Sequence, residues 1–318
     1  MSAGLVTFGE ALASFRTSAG KLRHATSVDV GIAGSEATVA VGVSRLGARA
    51  AWMGRVGADE PGALVLTRLR EEGVDTGAAV TDRKAPTGLV LRDFRSRDAS
   101  RSAYYRTGSA GTRLAPEDLR EDLIAAAGVL HLSGSTAALS ETADDAAFAA
   151  AEIAGEAGVP VSLALDHGPA LWDDENARDA VLDLLERVDI VFARTDEARP
   201  LGFDTDAEAF AAELAGRGPD EIIVLQGPRG AIAEISGVRY DVPAYPVHEI
   251  DADAADEAFI AGYLADLIAG EPADRRVRTA AACRAAAMSV PGSADSLPER
   301  ADLVDLPRQH RLTRTPAS

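Results

Sequence analysis

The segment "SEATVAVGVSRLGARAAWMGRVGADEPGALVLTRLREEG", residues 35–73, contains a helical pattern, a short apolar run and a second helical pattern. Apolar residues recur at helical spacing up to Gly47, form the continuous run "AAWM", and return to helical spacing before Gly73. A glycine directly after a helical pattern is typical of a C-terminal helix cap. The segment therefore predicts a strand between two helices, the repeating unit of a parallel α/β sheet.

The same alternation continues along most of the chain. Helical patterns separate the short apolar stretches "LVTFGE", "AAGVLHLSG", "VPVSLALD", "DIVFAR" and "EIIVLQG". This pattern predicts an α/β fold with a doubly wound, mainly parallel sheet and helices on both faces. In such sheets the ligand sites lie beyond the carboxyl ends of the strands.

Two segments interrupt the alternation. "LRHATSVDVGIAG" is typical of extended chain, and "TGLVLRDFRSRDASRSAYYRTG" predicts a hairpin with strands near Leu89–Arg95 and Arg101–Thr107. We expect segments of about 12–33 and 86–110 to form a small β-sheet lid, inserted in one α/β domain of residues 1–306. The basic and polar segment 307–318 is predicted to be a flexible tail.

Composition limits the classes of function. The net charge of −18 argues against binding nucleic acid or an anionic membrane over a broad face. No apolar run approaches the roughly 20 residues needed to span a bilayer, and the first residues lack the shape of a signal peptide. A single cysteine, Cys283, excludes an internal disulfide and fits a reducing compartment, so we expect a cytoplasmic location.

The segment "HEIDADAADEAFIAGYLADLIAG", residues 248–270, predicts a helix from about Ala255. A helix N-terminus favours anions because its first N–H groups are unpaired. Here carboxylates already stand at that position: Asp251, Asp253, Asp256 and Glu257. They have three interpretations, namely helix capping, a catalytic base, or a cation site. We expect the side chain of Asp253 or Asp256 to cap the helix in part.

Several motifs, taken in order, resemble the ribokinase-like (PfkB) sugar kinases, most closely the 2-keto-3-deoxygluconate kinases. They are "FGEAL", "AGSEATVAVGVSRLG" with "GRVGADEPG", "APTGLVL", "YYRTGSAGTRLAPEDL" and "LHLSG". The resemblance implies a ribokinase-like fold with a nine-stranded doubly wound sheet and a β-lid. It also implies ATP and Mg²⁺ as cofactors, phosphoryl transfer to a sugar hydroxyl, and two-fold pairing through the lid.

On the substrate side, the resemblance implies contacts with a sugar or sugar acid from Gly34, Thr38, Tyr104 and Arg106. The motif "AGSEATVA" departs from the family pattern, since Ala33 replaces a glycine and Thr38 replaces an asparagine. A hydroxyl offers fewer hydrogen bonds than an amide, so we expect fewer sugar contacts. Gly168 stands where a second arginine normally binds the sugar acid, and Ala164 replaces a strand aspartate.

On the nucleotide side, the resemblance implies cofactor binding by Gly227, Gly230, Ala254 and Ala255, and magnesium binding by Glu197. Arg194 replaces the asparagine of that magnesium motif. The family's "GAGD" becomes "AADE", in which Ala254 and Asp256 replace glycines and Glu257 replaces the catalytic aspartate. The extra charge of Asp256 repels phosphate, so we expect weak ATP binding unless metal or an arginine intervenes. Either Glu257 or Asp256 is the candidate base.

Two hypotheses follow for the function. In the first, the chain is a sugar or sugar-acid kinase for a 2-keto-3-deoxygluconate-like substrate, with weakened or lost activity. In the second, it is a catalytically silent relative that binds a small ligand or a protein. Because open lid strands need to be covered, we also expect a homodimer that pairs through the lid.

Overall fold

The computed structural model describes residues 4–96, 99–166, 175–203, 206–304, 306 and 312–316. Its strands are β1 Leu5–Phe8, β2 Leu12–Arg16, β3 Asp29–Ala33, β4 Ala50–Met53, β5 Arg55–Gly57, β6 Val80–Asp82, β7 Leu89–Ser96, β8 Ala99–Tyr105, β9 Val129–Ser133, β10 Val161–Ala164, β11 Ile190–Arg194, β12 Glu221–Leu225, β13 Ala231–Ile235, β14 Val238–Val242 and β15 Thr313–Pro316. Its helices are α1 Ser35–Arg45, α2 Glu60–Glu71, α3 Glu121–Ala125, α4 Gly134–Ala137, α5 Glu141–Glu156, α6 Glu175–Leu184, α7 Ala207–Ala215, α8 Ala255–Ile268 and α9 Ala273–Met288.

The main sheet, within the described residues, has nine strands in the order β15-β14-β13-β12-β11-β10-β9-β1-β4. The six neighbouring strands from β4 at the edge to β12 in the interior run parallel, in the order β4, β1, β9, β10, β11 and β12. Each of the remaining strands, β13, β14 and β15, pairs antiparallel with the strand before it. Consecutive residues of β1 point to opposite faces, so Leu5 and Val6 enter different hydrophobic clusters. One cluster packs α1, α2, α8 and α9, and the other packs α3 to α7. The predicted doubly wound α/β fold is confirmed.

The lid is a separate four-stranded sheet in the order β3-β2-β7-β8. Strands β7 and β8 form the predicted hairpin, with a register shift between Phe94 and Ser96. Alternate residues of this hairpin, including Val90, Arg92 and Tyr104, face the cleft at the carboxyl ends of the main strands. The lid therefore covers the edge of the main sheet where a ligand site is expected.

The prediction of a flexible tail from residue 307 is wrong for Thr313–Pro316. This segment pairs antiparallel with β14 and extends the main sheet by one strand. Without it, β14 would expose a row of unpaired backbone groups, and backbone pairing does not require apolar side chains. Arg314 adds an ion pair of 2.8 Å with Asp274 and stacks over the ring of Tyr240.

None of the described helices combines the length and the apolar character that a membrane span requires.

Candidate active site

A cavity of about 250 Å³ lies between the lid, the carboxyl ends of the central strands and the start of α8. It brings together six of the eleven residues that the sequence proposed for substrate, nucleotide, metal or base, which are Gly34, Thr38, Tyr104, Glu197, Asp256 and Glu257. Gly34 adopts a φ of 125° and a Cβ at this position would lie 2.3 Å from the carbonyl oxygen of Glu10. Glycine is therefore required there for the chain to turn into α1.

Arg106 does not line this cavity in the described structure. Its Nε lies 3.2 Å from a carboxylate oxygen of Glu10, and its guanidinium stacks 4.5 Å from the ring centroid of Tyr104. Burial raises the pKa of Glu10, although the charge of Arg106 opposes that shift. Arg106 therefore supports Tyr104, which does line the cavity. Gly168 lies outside the described residues.

Helix α8 begins at Ala255, as predicted, and its N-cap is Ala254. Ala254 has no side-chain acceptor, and among the described residues neither Asp253 nor Asp256 accepts a hydrogen bond from the first turn of α8, so the expected cap by either carboxylate is wrong. The N–H of Ala255 donates instead to the carbonyl oxygen of Ala252 at 3.2 Å. The carboxylate of Asp253 contacts Arg92 of the lid, and that of Asp256 lies 3.5 Å from Nε of Arg284. Ion pairs with guanidinium groups outweigh the smaller gain from capping.

Glu257 lies in the first turn of α8 and lines the cavity. Burial raises the pKa of its carboxyl well above the usual value, and the nearby charges of Asp166 and Asp256 raise it further. A carboxyl group with a raised pKa is a suitable general base near neutral pH. Asp166 was missed by the sequence analysis, and its position two residues after the end of β10, at the carboxyl edge of the sheet, was the available signal.

Arg194 and Glu197 form a tight pair at the end of β11. The backbone N–H of Arg194 donates to Glu197 at 2.6 Å, and its Nη2 lies 3.2 Å from the other carboxylate oxygen. Burial lowers the pKa of Arg194, but the charges of Glu197 and Asp256 outweigh it, so the net shift is upwards. The cation at Arg194 therefore offsets two of the carboxylates that line the cavity.

A second cavity of about 260 Å³ lies on the other side of α8, and it is mostly apolar. Phe259, Tyr245 and Arg284 line it, and Arg284 also pairs with Asp256 of the first cavity. Gly230 borders this second cavity, with a φ of 99° and a Cβ position only 2.0 Å from the carbonyl oxygen of Val242. A glycine is therefore required at position 230, because any Cβ there would overlap the backbone of Val242.

Gly227, in contrast, has open space around it. Its φ is 60°, and no atom lies within 4 Å of where a Cβ would be. Neither of the two cavities described above is lined by Gly227. The start of α8, with Ala254 and Ala255 both buried, lies between the two cavities. The arrangement offers one polar cavity, one apolar cavity and, between them, a helix N-terminus that neither Asp253 nor Asp256 caps.

Comparison with known proteins decides the family. A family model described as "pfkB family carbohydrate kinase" matches residues 2–300. The chain belongs to the pfkB family of carbohydrate kinases. The predicted family resemblance is confirmed, and with it a carbohydrate-kinase ancestry.

Two curated relatives and one solved structure are similar to this pfkB chain over more than 90% of its length. It is 34% identical to a 2-dehydro-3-deoxygalactonokinase of Haloferax volcanii, over 92% of this chain and 93% of the relative. It is 33% identical to a 2-dehydro-3-deoxygluconokinase of Thermoproteus tenax, over 95% and 93%. A putative ribokinase II from E. coli, solved in complex with ATP and Mg²⁺, superimposes with a TM-score of 0.88 at 24% identity, over 95% of this chain and 98% of that one.

The residues present fit a nucleotide with its metal ion. The N-terminus of α8, which neither Asp253 nor Asp256 caps, lies between a polar and an apolar cavity, and a helix N-terminus favours an anion such as phosphate. Within the described chain, no group of three or more His, Cys, Asp or Glu residues forms a metal site. Mg²⁺ is usually held by one or two carboxylates together with phosphates and water, so Glu197 is a sufficient candidate.

Proposed function

We propose that the chain is an ATP-dependent kinase that phosphorylates a hydroxyl group of a small sugar acid of the 2-keto-3-deoxy class. The observation that supports this most strongly is the N-terminus of α8, which neither Asp253 nor Asp256 caps and which has Glu257 beside it and two cavities flanking it. The names of two relatives, both keto-deoxy sugar-acid kinases, support the substrate class.

In this proposal each side of the polar cavity has a distinct role. Gly34 allows close approach of the substrate to the backbone, and the hydroxyl of Thr38 donates or accepts one hydrogen bond. Tyr104, backed by Arg106, covers the substrate from the lid and excludes water. Glu257 accepts the proton of the substrate hydroxyl, because its raised pKa makes it a stronger base than an ordinary carboxylate.

The nucleotide would lie against the start of α8 and in the apolar cavity. Mg-ATP supplies the phosphoryl group, and the metal neutralises part of the phosphate charge. Ala254 and Ala255 are the candidate phosphate-binding residues, with Glu197 as the candidate metal ligand. The N–H of Ala255 would exchange its bond of 3.2 Å to the carbonyl oxygen of Ala252 for one to the phosphate. Arg194 and Arg284 offset the carboxylate of Asp256, which would otherwise repel the phosphates.

We further propose that nucleotide binding is weak compared with a site that carries glycines. The methyl group of Ala254 and the side chain of Asp256 occupy space near the helix N-terminus, and the flanking arginines offset only the charge. We expect a dissociation constant for Mg-ATP no tighter than about 1 mM, which corresponds to a binding free energy of roughly −4 kcal/mol. Turnover then depends on how well Glu257 is placed, because a shift of about 1 Å costs on the order of 100-fold.

The test is a product assay with a panel of acceptors. The protein is incubated with Mg-ATP and 2-keto-3-deoxygluconate, 2-keto-3-deoxygalactonate or fructose, and both ADP release and the phosphorylated product are measured. We expect product with the two keto-deoxy acids and less with fructose. If no acceptor is phosphorylated while calorimetry detects binding of a sugar acid, the silent ligand-binding alternative holds instead.

A further inference from the structure

Arg92 is a buried cation on the cleft face of the lid. It lies on β7, is 8% exposed, and lines the polar cavity. One of its guanidinium nitrogens lies 3.3 Å from Asp251 and 3.1 Å from the hydroxyl of Ser100, and another contacts the carboxylate of Asp253. Arg92 therefore connects the lid to the loop that immediately precedes α8.

Asp253 has two competing partners within reach. It directly precedes Ala254, the N-cap of α8, and aspartate at a helix N-terminus commonly accepts hydrogen bonds from the first N–H groups. In the structure its carboxylate contacts Arg92 and does not cap the helix. An ion pair with a buried guanidinium outweighs the smaller gain from capping, so Arg92 holds Asp253 in this arrangement of the lid.

The neighbouring carboxylate behaves differently. Asp251 accepts hydrogen bonds from the backbone N–H groups of Asp253 at 3.2 Å and Gly292 at 3.3 Å, in addition to its lid contacts. These backbone bonds fix Asp251 whether or not the lid is closed. Asp253 depends on Arg92 and on the nearby hydroxyl of Ser293, so it is the carboxylate that is released when β7 moves away.

We propose that Arg92 is a positioning residue that withdraws Asp253 from the N-terminus of α8 when the lid is closed. The N–H groups of α8 beyond Ala255, whose own N–H donates to Ala252, are then available to an anion, which under the function proposed above is a phosphate of ATP. When the lid opens, Asp253 caps α8 and occupies the same N–H groups. Closure of the lid over the acceptor and binding of the nucleotide are therefore positively coupled.

Arg16 provides a matched control on the same sheet. It is paired in register with Arg92 on the adjacent strand, and it lies 3.7 Å from Asp251 and 3.3 Å from Asp29. Its charge lowers the pKa of Asp253 less than that of Arg92 does, and no ion pair joins Arg16 to Asp253 among the described contacts. Arg16→Met and Arg92→Met thus remove the same charge from the same lid, but only the second releases Asp253.

The first measurement is calorimetric binding of a non-hydrolysable ATP analogue with Mg²⁺. We expect Arg92→Met to weaken binding about tenfold and Arg16→Met to change it less than about threefold, because one charge-assisted contact is worth about a factor of ten. The double variant Arg92→Met with Asp253→Ala should return to the affinity of Asp253→Ala alone. Equal effects of the two lid variants, or no recovery in the double variant, would overturn the proposal.

The second measurement does not require the nucleotide. Backbone amide NMR and hydrogen exchange of residues 254–257 report whether their N–H groups are capped. We expect slower exchange in Arg92→Met than in Arg16→Met, with the difference lost in the Asp253→Ala background. If this pattern holds but no variant binds nucleotide, the kinase proposal fails while the role of Arg92 stands; if the pattern is absent, the role of Arg92 is refuted. Unfolding temperatures confirm that each variant is folded.

Discussion

Nη1 of Arg194 lies 3.9 Å from a carboxylate oxygen of Asp256, and both residues depart from the family pattern. Arg194 replaces the asparagine of the magnesium motif, and Asp256 replaces a glycine of the anion site. Arg284 pairs with the same carboxylate from α9 at 3.5 Å. Considered alone, each replacement is expected to impair a kinase. Together they add one positive and one negative charge at the same point.

This relationship predicts opposite effects of two single replacements on Mg-ATP binding. Asp256→Gly should tighten binding about tenfold, because it removes a negative charge and leaves the cations of Arg194 and Arg284. Arg194→Asn should weaken binding by a similar factor, because Asp256 then keeps only Arg284. Calorimetric titration measures both. Wild-type affinity in the Arg194→Asn variant would show that the two charges do not compensate.

The start of α8 shows how far the sequence could predict the site. The apolar spacing from Phe259 onwards fixed the first helical residue, Ala255, because that information is local. The capping prediction failed because the partner of Asp253 is Arg92, which comes from the lid and is remote in sequence. Helix propensities do not contain such contacts, and only the packing of the lid against the main sheet brings them together.

The same distinction applies to other residues of the site. The order of strands and helices, the lid hairpin and the cluster of Gly34, Thr38 and Tyr104 followed from pattern and resemblance. Arg106 was expected in the cleft, yet it forms an ion pair with Glu10, a buried carboxylate on another segment. Asp166 was overlooked because a single acid after a strand is usually part of a turn. Side-chain partnerships of this kind depend on tertiary structure.

The acid limb of the pH–rate profile should report Glu257. Its pKa is raised above 4.5 by burial, and next by Asp166 and Asp256. A general base works only when ionised, so kcat/KM should fall as the pH drops through this raised value, at a higher pH than for an ordinary carboxylate. Asp256→Asn removes a neighbouring charge, so it should move the limb to lower pH. An unchanged limb in that variant contradicts the assignment.

Glu36 should make stability depend on pH. It is 1% exposed, and burial raises its pKa to about 7 although Ser133 donates a hydrogen bond to it at 2.6 Å. The folded pKa exceeds the unfolded one, so the free energy of unfolding falls as the pH rises from about 4.5 to 7. Glu36→Gln should be more stable than wild type by roughly 3 kcal/mol above pH 7 and similar below pH 5. Denaturant titrations at both pH values test this; parallel behaviour of the two proteins would refute it.

The lid should mediate a homodimer. Its strands have open edges, and Tyr105 and Val30 are 62% and 42% exposed, which is unusual for large apolar side chains on a free sheet. Light scattering at micromolar concentration should give the mass of two chains, and Tyr105→Glu should shift the protein towards the monomer. A monomeric wild-type protein at that concentration contradicts the prediction.

The most direct test compares Glu257→Gln with Asp256→Asn in the phosphorylation of 2-keto-3-deoxygluconate by Mg-ATP. Both changes remove one negative charge from the first turn of α8, so neither should weaken nucleotide binding, which calorimetry can verify. Loss of the base should lower kcat by about 10²–10⁴-fold in Glu257→Gln, whereas Asp256→Asn should stay within about tenfold of wild type. The account is contradicted if Glu257→Gln turns over at the wild-type rate, or if Asp256→Asn is the variant that loses activity.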